Sequence, residues 1–298
     1  MFKELRKFKL FGGGAIQYKR YTRSPIVSAI FVIILLAFGF VCILPLIYCV
    51  ATSLKPLDEI LIFPPRFFVQ RPTVANYTLL PSLLSKLKVP LSRYVFNSVF
   101  ITIIGTICHI LAAAAAAFFF SKSKKKWTGI IFLIVQFSLL YNSTTLGVPQ
   151  YIIFSEMKII DTYWVYILPH IQSAMGVFLM KQYMDGSVPE SLLEAARIDG
   201  AGYPLIFWKI VMPMVKPAWL TLLLFAFRDM WATQSGTTIF TESLKTLPAA
   251  MSQITNAGIA RSGSAMATTV IMMIPPILVY LISQSNVMET MSNAGMKD

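Results

Sequence analysis

Charge is scarce in this sequence. Asp, Glu, Lys and Arg make up 13% of its 298 residues, about half of the ~25% that keeps the surface of a soluble domain wet. Acid is scarcer still, with 13 Asp and Glu against 26 Lys and Arg. Cysteine is limited to Cys42, Cys49 and Cys108, each inside an apolar stretch. They read as small buried hydrophobes, not as a disulfide framework or a grouped metal site. The two histidines, His109 and His170, are too few and too far apart along the chain to suggest a metal site. H-E-x-x-H, G-x-S-x-G and paired carboxylates inside an apolar run are all missing, which removes the common routes to a membrane enzyme. No G-x-x-x-x-G-K-[ST] occurs either, because Gly12-Gly13-Gly14 lacks the Gly-Lys-[Ser/Thr] that should follow. Catalytic, metal and cofactor residues are therefore expected to be none.

What is abundant is apolar: 56% of the residues are hydrophobic. A helix needs about 20 such residues to cross the hydrocarbon core of a bilayer. Ile26–Val50, Val95–Phe120, Trp127–Leu146, Tyr163–Met180 and Ala265–Ser283 meet this requirement. A less obvious crossing over 217–233 rests on Ala218–Phe227, after which Arg228 and Asp229 interrupt the run. The run from Ile26 is too long for a signal-peptide core and lacks a small-residue cleavage site, so it is expected to remain as the first span.

Positive residues alternate between the connecting loops. Residues 1–25 hold seven Lys and Arg, 122–126 hold four and 181–217 hold four, whereas 147–162 holds only Lys158 and 232–264 only Lys245 and Arg261. The positive-inside rule places the rich loops in the cytoplasm; the long 51–94 segment, with six, is the kind that crosses largely regardless of charge. The expectation is an all-α integral membrane protein with six transmembrane helices in a bacterial inner membrane and both termini cytoplasmic. Residues 1–25 are its N-terminal segment, 26–283 its membrane domain and 284–298 its tail. The net charge of +13 does not mark a nucleic-acid binder, because it sits between apolar runs and not along one soluble face.

The run Ala112–Ala117 lets helix backbones approach closely where lipid is as apolar as leucine, and it marks an inner, tightly packed helix. His109, one turn before it, reads first as a hydrogen-bonded packing residue and only second as a proton relay. Trp127, Tyr163, Trp164 and Trp219 fall near span ends, where amphipathic rings sit at headgroup depth.

The loop of 187–217 is the most informative segment. Ser187 and Glu190 have capping-box spacing, Pro189 suits a first helical turn, and Gly200 suits the left-handed position that ends a helix. A helix of about twelve residues, about 18 Å long, is expected there. Gly202 and Pro204 then start a second short helix that leads to Pro213 and Pro217. Taken alone, the first helix is either a simple connector or a peg, with Ala195 and Ala196 as a close-packing face and Glu194, Arg197 and Asp199 as charges around it.

Glu194-Ala195-Ala196, three residues, Gly200, nine residues, then Ile210-Val211-Met212-Pro213 resembles the coupling signature of ABC importer permeases. Met212 stands where that signature has Leu, a volume-conserving change. Asn97-Ser98, Thr102, Gly105-Thr106, the alanine run and Ser121-Lys122 resemble the second span of the carbohydrate-uptake, maltose-type branch. Asp161-Thr162-Tyr163 with Leu168-Pro169, and Lys181-Gln182-Tyr183 with Val188-Pro189, resemble its later segments. The resemblance covers about 26–283 and implies a bundle around a central cavity, docked through a cytoplasmic coupling helix to an ABC ATPase dimer that binds ATP and Mg. It also implies a second, homologous permease subunit, an extracytoplasmic solute-binding protein and a sugar or oligosaccharide as solute. Coupling is expected from Glu194, Ala195, Ala196, Asp199, Gly200, Ile210 and Pro213. The tail lacks the basic, aromatic ending common in the branch, and Phe227-Arg228-Asp229-Met230-Trp231 stands where the branch often has Trp-Asn.

Charge at mid-bilayer costs at least about 2.5–3.5 kcal/mol, so Arg228 and Asp229 call for a reason. Either they line a wet path, with Trp231 stacking on a sugar ring and Gln234 nearby, or they form an interfacial pair at the outer end of the fifth span. A non-sugar solute and an ion-coupled secondary transporter are the alternatives. The second needs more intramembrane ionisable groups than Arg228-Asp229.

Overall fold

In a computed structural model of the chain, residues 25–85, 89–123, 125–140, 146–234, 236–256, 258 and 261–294 are described. The helices, in order, are α1 (Pro25–Ser53), α2 (Leu57–Ile60), α3 (Ala75–Thr78), α4 (Leu80–Ser85), α5 (Leu91–Lys122), α6 (Lys126–Ser138), α7 (Gly147–Glu156), α8 (Trp164–Ile171) and α9 (Ala174–Ser187). They continue with α10 (Glu190–Ile198), α11 (Tyr203–Ile206), a π-helical turn (Phe207–Val211), α12 (Met212–Met214), α13 (Lys216–Trp231), α14 (Leu247–Thr255) and α15 (Ser262–Ala294). Two compact units divide the chain, Met1–Ile47 and Tyr48–Asp298. In the first, residues 26–43 of α1 are predominantly apolar and all exposed, with Ile26, Leu35 and Phe38 near 70%. A helix of that kind is solvated by lipid or it is not stable.

The second unit is organised by α5. Its 32 residues span about 48 Å, more than the ~30 Å of a hydrocarbon core, so both ends project beyond it. Its buried positions (Tyr94, Asn97, Ser98, Ile101, Thr102, Gly105, Thr106, Ile110, Ala113, Ala114 and Ala117) follow the 3.6-residue helical period and, between Tyr94 and Leu111, take in Asn97, Ser98, Thr102 and Thr106. Over that stretch its exposed positions are Val95, Phe96, Val99, Phe100, Ile103, Ile104, Ile107 and Leu111. Polar in and apolar out is the pattern of a helix whose solvent is hydrocarbon.

Close approach explains which helices α5 takes as neighbours. It packs against α8, α9 and α13, and α13 packs in turn against α15. A Cβ on Gly105 would stand 2.0 Å from Met230 Cε of α13. A Cβ on Gly176 of α9 would stand 3.1 Å from both Ala113 and Leu222. The alanine run therefore does hold the inner position expected of it, as Ala113, Ala114 and Ala117 are at most 1% exposed.

Three candidate spans are long and apolar enough to cross a membrane among the described residues: Ile26–Ser53, Leu91–Lys122 and Ser262–Gln284. A fourth is added if Tyr203–Met214 and Lys216–Trp231, bent by 82°, count as one. The other expected spans are shorter or broken. The 127–146 span contains a 13-residue helix, α6, and 141–145 lie outside the described residues. The 163–180 span is interrupted at Gln172 and Ser173, which are both extended, with the Ser173 hydroxyl accepting from Gly176 N–H to cap α9. Pro213 and Pro217 bracket the bend before α13, where neither ring supplies an N–H to continue a helix. The last candidate span ends at Gln284, and α15 continues from it as a helix to Ala294.

The packing argument is testable. Ala114→Leu adds methylenes where no space exists and should cost about 1–3 kcal/mol, lowering the thermal unfolding midpoint of the solubilised protein. Ile107→Leu, at a half-exposed site, should leave the midpoint unchanged; equal effects would contradict the inner position of the alanine face.

Candidate functional site

The sites lie at the two ends of α5. At the Lys122 end, α9, α10, α11 and the base of α13 close around one apolar cluster. It contains Ala113, Ala114 and Ala117 of α5, Met180 and Met184 of α9, and Leu193 and Ala196 of α10. Ile206, Val211, Val215, Ala218 and Leu222 complete its other side.

The short helix α10 is therefore anchored on one face only. Leu193 is 2% exposed and Ala196 9%, whereas Ile198 is 87% exposed; Ser191, Leu192, Glu194, Ala195, Arg197, Asp199 and Gly200 are also exposed. Residues one apart differ by about 100° on a helix, so Ala195 and Ala196 do not form a single face as expected from their pairing. Ala196 packs into the protein and Ala195 faces away from it. The helix is also shorter than the twelve residues expected, at nine. Ser187 ends α9 and Pro189 is the residue before α10, with no side-chain cap, so the Ser187–Glu190 capping box does not form. Gly200 does take the left-handed conformation, with φ +83°, which is what ends the helix and turns the chain into α11.

Around α10 the sequence reading missed a rim of large exposed side chains. Tyr203, Leu205 and Trp208 are 63%, 47% and 55% exposed, and the Arg197 guanidinium lies 4.9 Å from the Tyr203 ring centroid. Ile210 is half-buried against the cluster, and Pro213 is exposed. The signal was present: Tyr203, Leu205 and Trp208 are large apolar residues in a loop that the charge pattern sets apart from the apolar spans.

The residues expected along a solute path do not converge. Arg228 lines a groove between α13 and α15 with Thr221, Leu224, Phe225, Pro276 and Tyr280. Asp229 is exposed and is not part of that lining. The two side chains do not pair with each other, as their adjacency on a helix implied. Trp231 is not available to stack on a sugar: it is 6% exposed, its ring stacks on Phe227, and its indole N–H donates to Met272 O at 3.0 Å. Gln234 is exposed beyond the end of α13.

The histidines, 61 residues apart in sequence, meet in space. The α8–α9 break frees carbonyls at the end of α8, and His109 Nδ1 sits 2.5 Å from that of His170. Donating there places the proton on Nδ1 and leaves Nε2 an acceptor, buried and without a partner. His170 Nδ1 in turn lies 2.9 Å from Tyr166 O, and its Nε2 lies 3.3 Å from Thr233 Oγ1. His109 thus fits the hydrogen-bonded packing reading.

At the Leu91 end, the loop after α13 folds over α5. Asn97, fully buried, donates to both Ser243 O and Lys245 O at 2.8 Å and accepts from Tyr163 OH at 2.8 Å. Ser98 Oγ accepts from Leu247 N–H at 2.7 Å, and Tyr94 OH meets Glu242 Oε1 at 2.9 Å. Asp161 accepts from the Thr241 hydroxyl and from the Thr241 and Phe240 N–H groups. The Thr241 hydroxyl and amide are the main reason its carboxyl titrates below the ordinary aspartate range. A depressed carboxyl holds its contacts at neutral pH and releases them as pH falls through its folded value.

Comparison with known proteins agrees with this architecture. A family described as binding-protein-dependent transport system inner membrane component matches residues 30–292. The polygalacturonan/rhamnogalacturonan transport system permease protein YtcP of Bacillus subtilis (strain 168) is 28% identical over 210 residues, covering 67% of each chain. The sulfoquinovosyl glycerol transport system permease protein SmoH of Agrobacterium fabrum is 27% identical over 257 residues, covering 85% of this chain and 88% of its own. Among solved structures, a bacterial ABC transporter involved in the import of the acidic polysaccharide alginate has a chain of similar fold. The TM-score is 0.72 at 21% identity, over 90% of this chain and 99% of the other.

The Asn97 hub gives a direct test of the Leu91 end. Asn97→Ala leaves three groups to find new partners, at about 1–3 kcal/mol for each one that stays buried. Hydrogen–deuterium exchange over 243–247 should accelerate in the variant; unchanged protection would mean the loop is held by other contacts.

Proposed function

We propose, for a chain that belongs to the family of binding-protein-dependent transport system inner membrane components, that it forms half of the solute path of an ATP-driven importer for sugars or oligosaccharides. Its motor is an ABC ATPase dimer, which binds ATP and Mg; its other partners are a second permease, an extracytoplasmic solute-binding protein and the bilayer. In this reading α10 lies in the cytoplasm, as do both termini.

The observation that carries the reading is the one-sided burial of α10. A connector helix has no need of an anchored inner face and an apolar, exposed outer one. A peg that transmits displacement needs both. Leu193 and Ala196 fix it to the core, while Ile198, Ala195 and Leu192 present apolar surface and Glu194 and Asp199 present charge to a groove on the motor. Gly200 sets the exit direction, and Ile210 and Pro213 hold the return into α13. The sugar class draws support from the solutes in the names of the relatives above, which are polygalacturonan or rhamnogalacturonan, sulfoquinovosyl glycerol and alginate. Arg228 and Asp229 are assigned to the path as separate contacts on two faces of α13, not as a pair; Gln234 joins them at the open end of that helix.

Two outcomes test this assignment. Glu194→Lys and Ile198→Asp should insert normally yet lose the co-purifying ATPase, whereas a connector helix would retain it. Arg228→Ala and Asp229→Ala should retain the ATPase and sister permease but lower uptake of labelled oligosaccharides several-fold; normal uptake by both would remove them from the path.

A further inference from the structure

Apolar packing alone joins α10 to most of its neighbours, but a set of polar contacts joins α5 to the junction that carries it. Only Val188 and Pro189 separate α9 from α10, and both are extended. Val188 is 3% exposed, so its carbonyl needs a partner inside the protein. Lys122, the last residue of α5, donates from Nζ to that carbonyl at 2.8 Å. One residue earlier, Ser121 Oγ donates to Asp185 Oδ1 at 2.6 Å, and Lys181 Nζ donates to Asp185 Oδ2 at 2.7 Å. The end of α5 is thus tied to the last turn of α9 and to the first residue beyond it. Cation and carbonyl suit each other there, because the final carbonyls of a helix carry its negative pole.

We propose that Lys122, with the Ser121–Asp185 hydrogen bond one residue before it, is a positioning residue for transport: it locks α5 to the α9–α10 junction so that a displacement of α10 moves α5 as one body with it. The inference rests on the importer reading. Besides pairing the buried Val188 carbonyl, the tie has a geometric effect. Without it, α10 can slide over the apolar cluster, whose contacts have no direction. With it, α5, which reaches both sites, must follow.

The test uses the assembled importer with its ATPase, after Cys42, Cys49 and Cys108 are replaced by alanine. Spin labels at Ile107 of α5 and Ser191 of α10, both exposed, report their separation by electron–electron resonance without nucleotide and after trapping with ATP and vanadate. The separation should be the same in both states with Lys122 present. Lys122→Met should match it without nucleotide but shift on trapping by about 2 Å or more, the scale of helix shifts in switching proteins. Lys122→Arg should restore the constant separation. A shift with Lys122 present, or none in Lys122→Met, overturns the proposal. A merely stabilising contact would instead alter Lys122→Met equally in both states, which also overturns it. Failure of any ATPase to assemble with the unsubstituted chain would fall on the importer reading itself.

Discussion

The rest of the structure depends on α5 crossing an apolar medium with its polar face turned inward. In hydrocarbon an unpaired backbone or side-chain polar group has no water to fall back on. A polar residue on that face must therefore find protein, and the neighbours of α5 supply it to Asn97, Ser98 and His109 Nδ1, whereas Thr102 Oγ1, Thr106 Oγ1 and His109 Nε2 are buried without a partner. Asn97 and Ser98 reach the loop that follows α13, and His109 reaches the carbonyl left free by the α8–α9 break. Small residues do the remaining work, because Gly105 and the alanine run bring α13 and α9 within van der Waals distance. One helix thus organises two dissimilar ends.

Those ends differ in the kind of interaction that holds them. The Leu91 end is held by directional hydrogen bonds over a folded loop, which fixes geometry and resists sliding. The Lys122 end is held by a contact of Ala, Leu, Met and Val side chains, which resists separation, and by the Lys122 and Ser121 contacts that limit sliding over it. Packed cores of this sort are bistable more than elastic, and that is the property a transmission element needs. The 82° bend before α13 and the π-helical turn before it lie at the same end, where the helical ladder is already interrupted.

Much of this was legible in the sequence wherever the cause is local. The alanine run announces close packing through side-chain size alone, and Gly200 announces a left-handed residue because no other residue adopts it as cheaply. The Glu194–Pro213 spacing announces the loop. What the sequence did not disclose depends on partners far along the chain. Trp231 looks like a free aromatic beside two charges until Met272 is found against its indole. His109 and His170 look unrelated until a helix break gives one a carbonyl to offer the other. The Ser187–Glu190 spacing suggested a cap, yet α9 extends through Ser187 and takes that residue for its own last turn. Pairwise spacing cannot say which of two adjoining helices will claim a residue.

The central claim is that α10 presents its outer face, centred on Ile198, to a nucleotide-hydrolysing subunit. A photoactivatable side chain at Ile198, irradiated in native membranes and analysed by mass spectrometry, tests it most directly. The account predicts an adduct with an ABC ATPase from Ile198 and none from the same group placed at Phe96, at the far end of α5. Adducts with the ATPase from Phe96 but not from Ile198, or capture at Ile198 by a reagent confined to the outside of the cell, would contradict it.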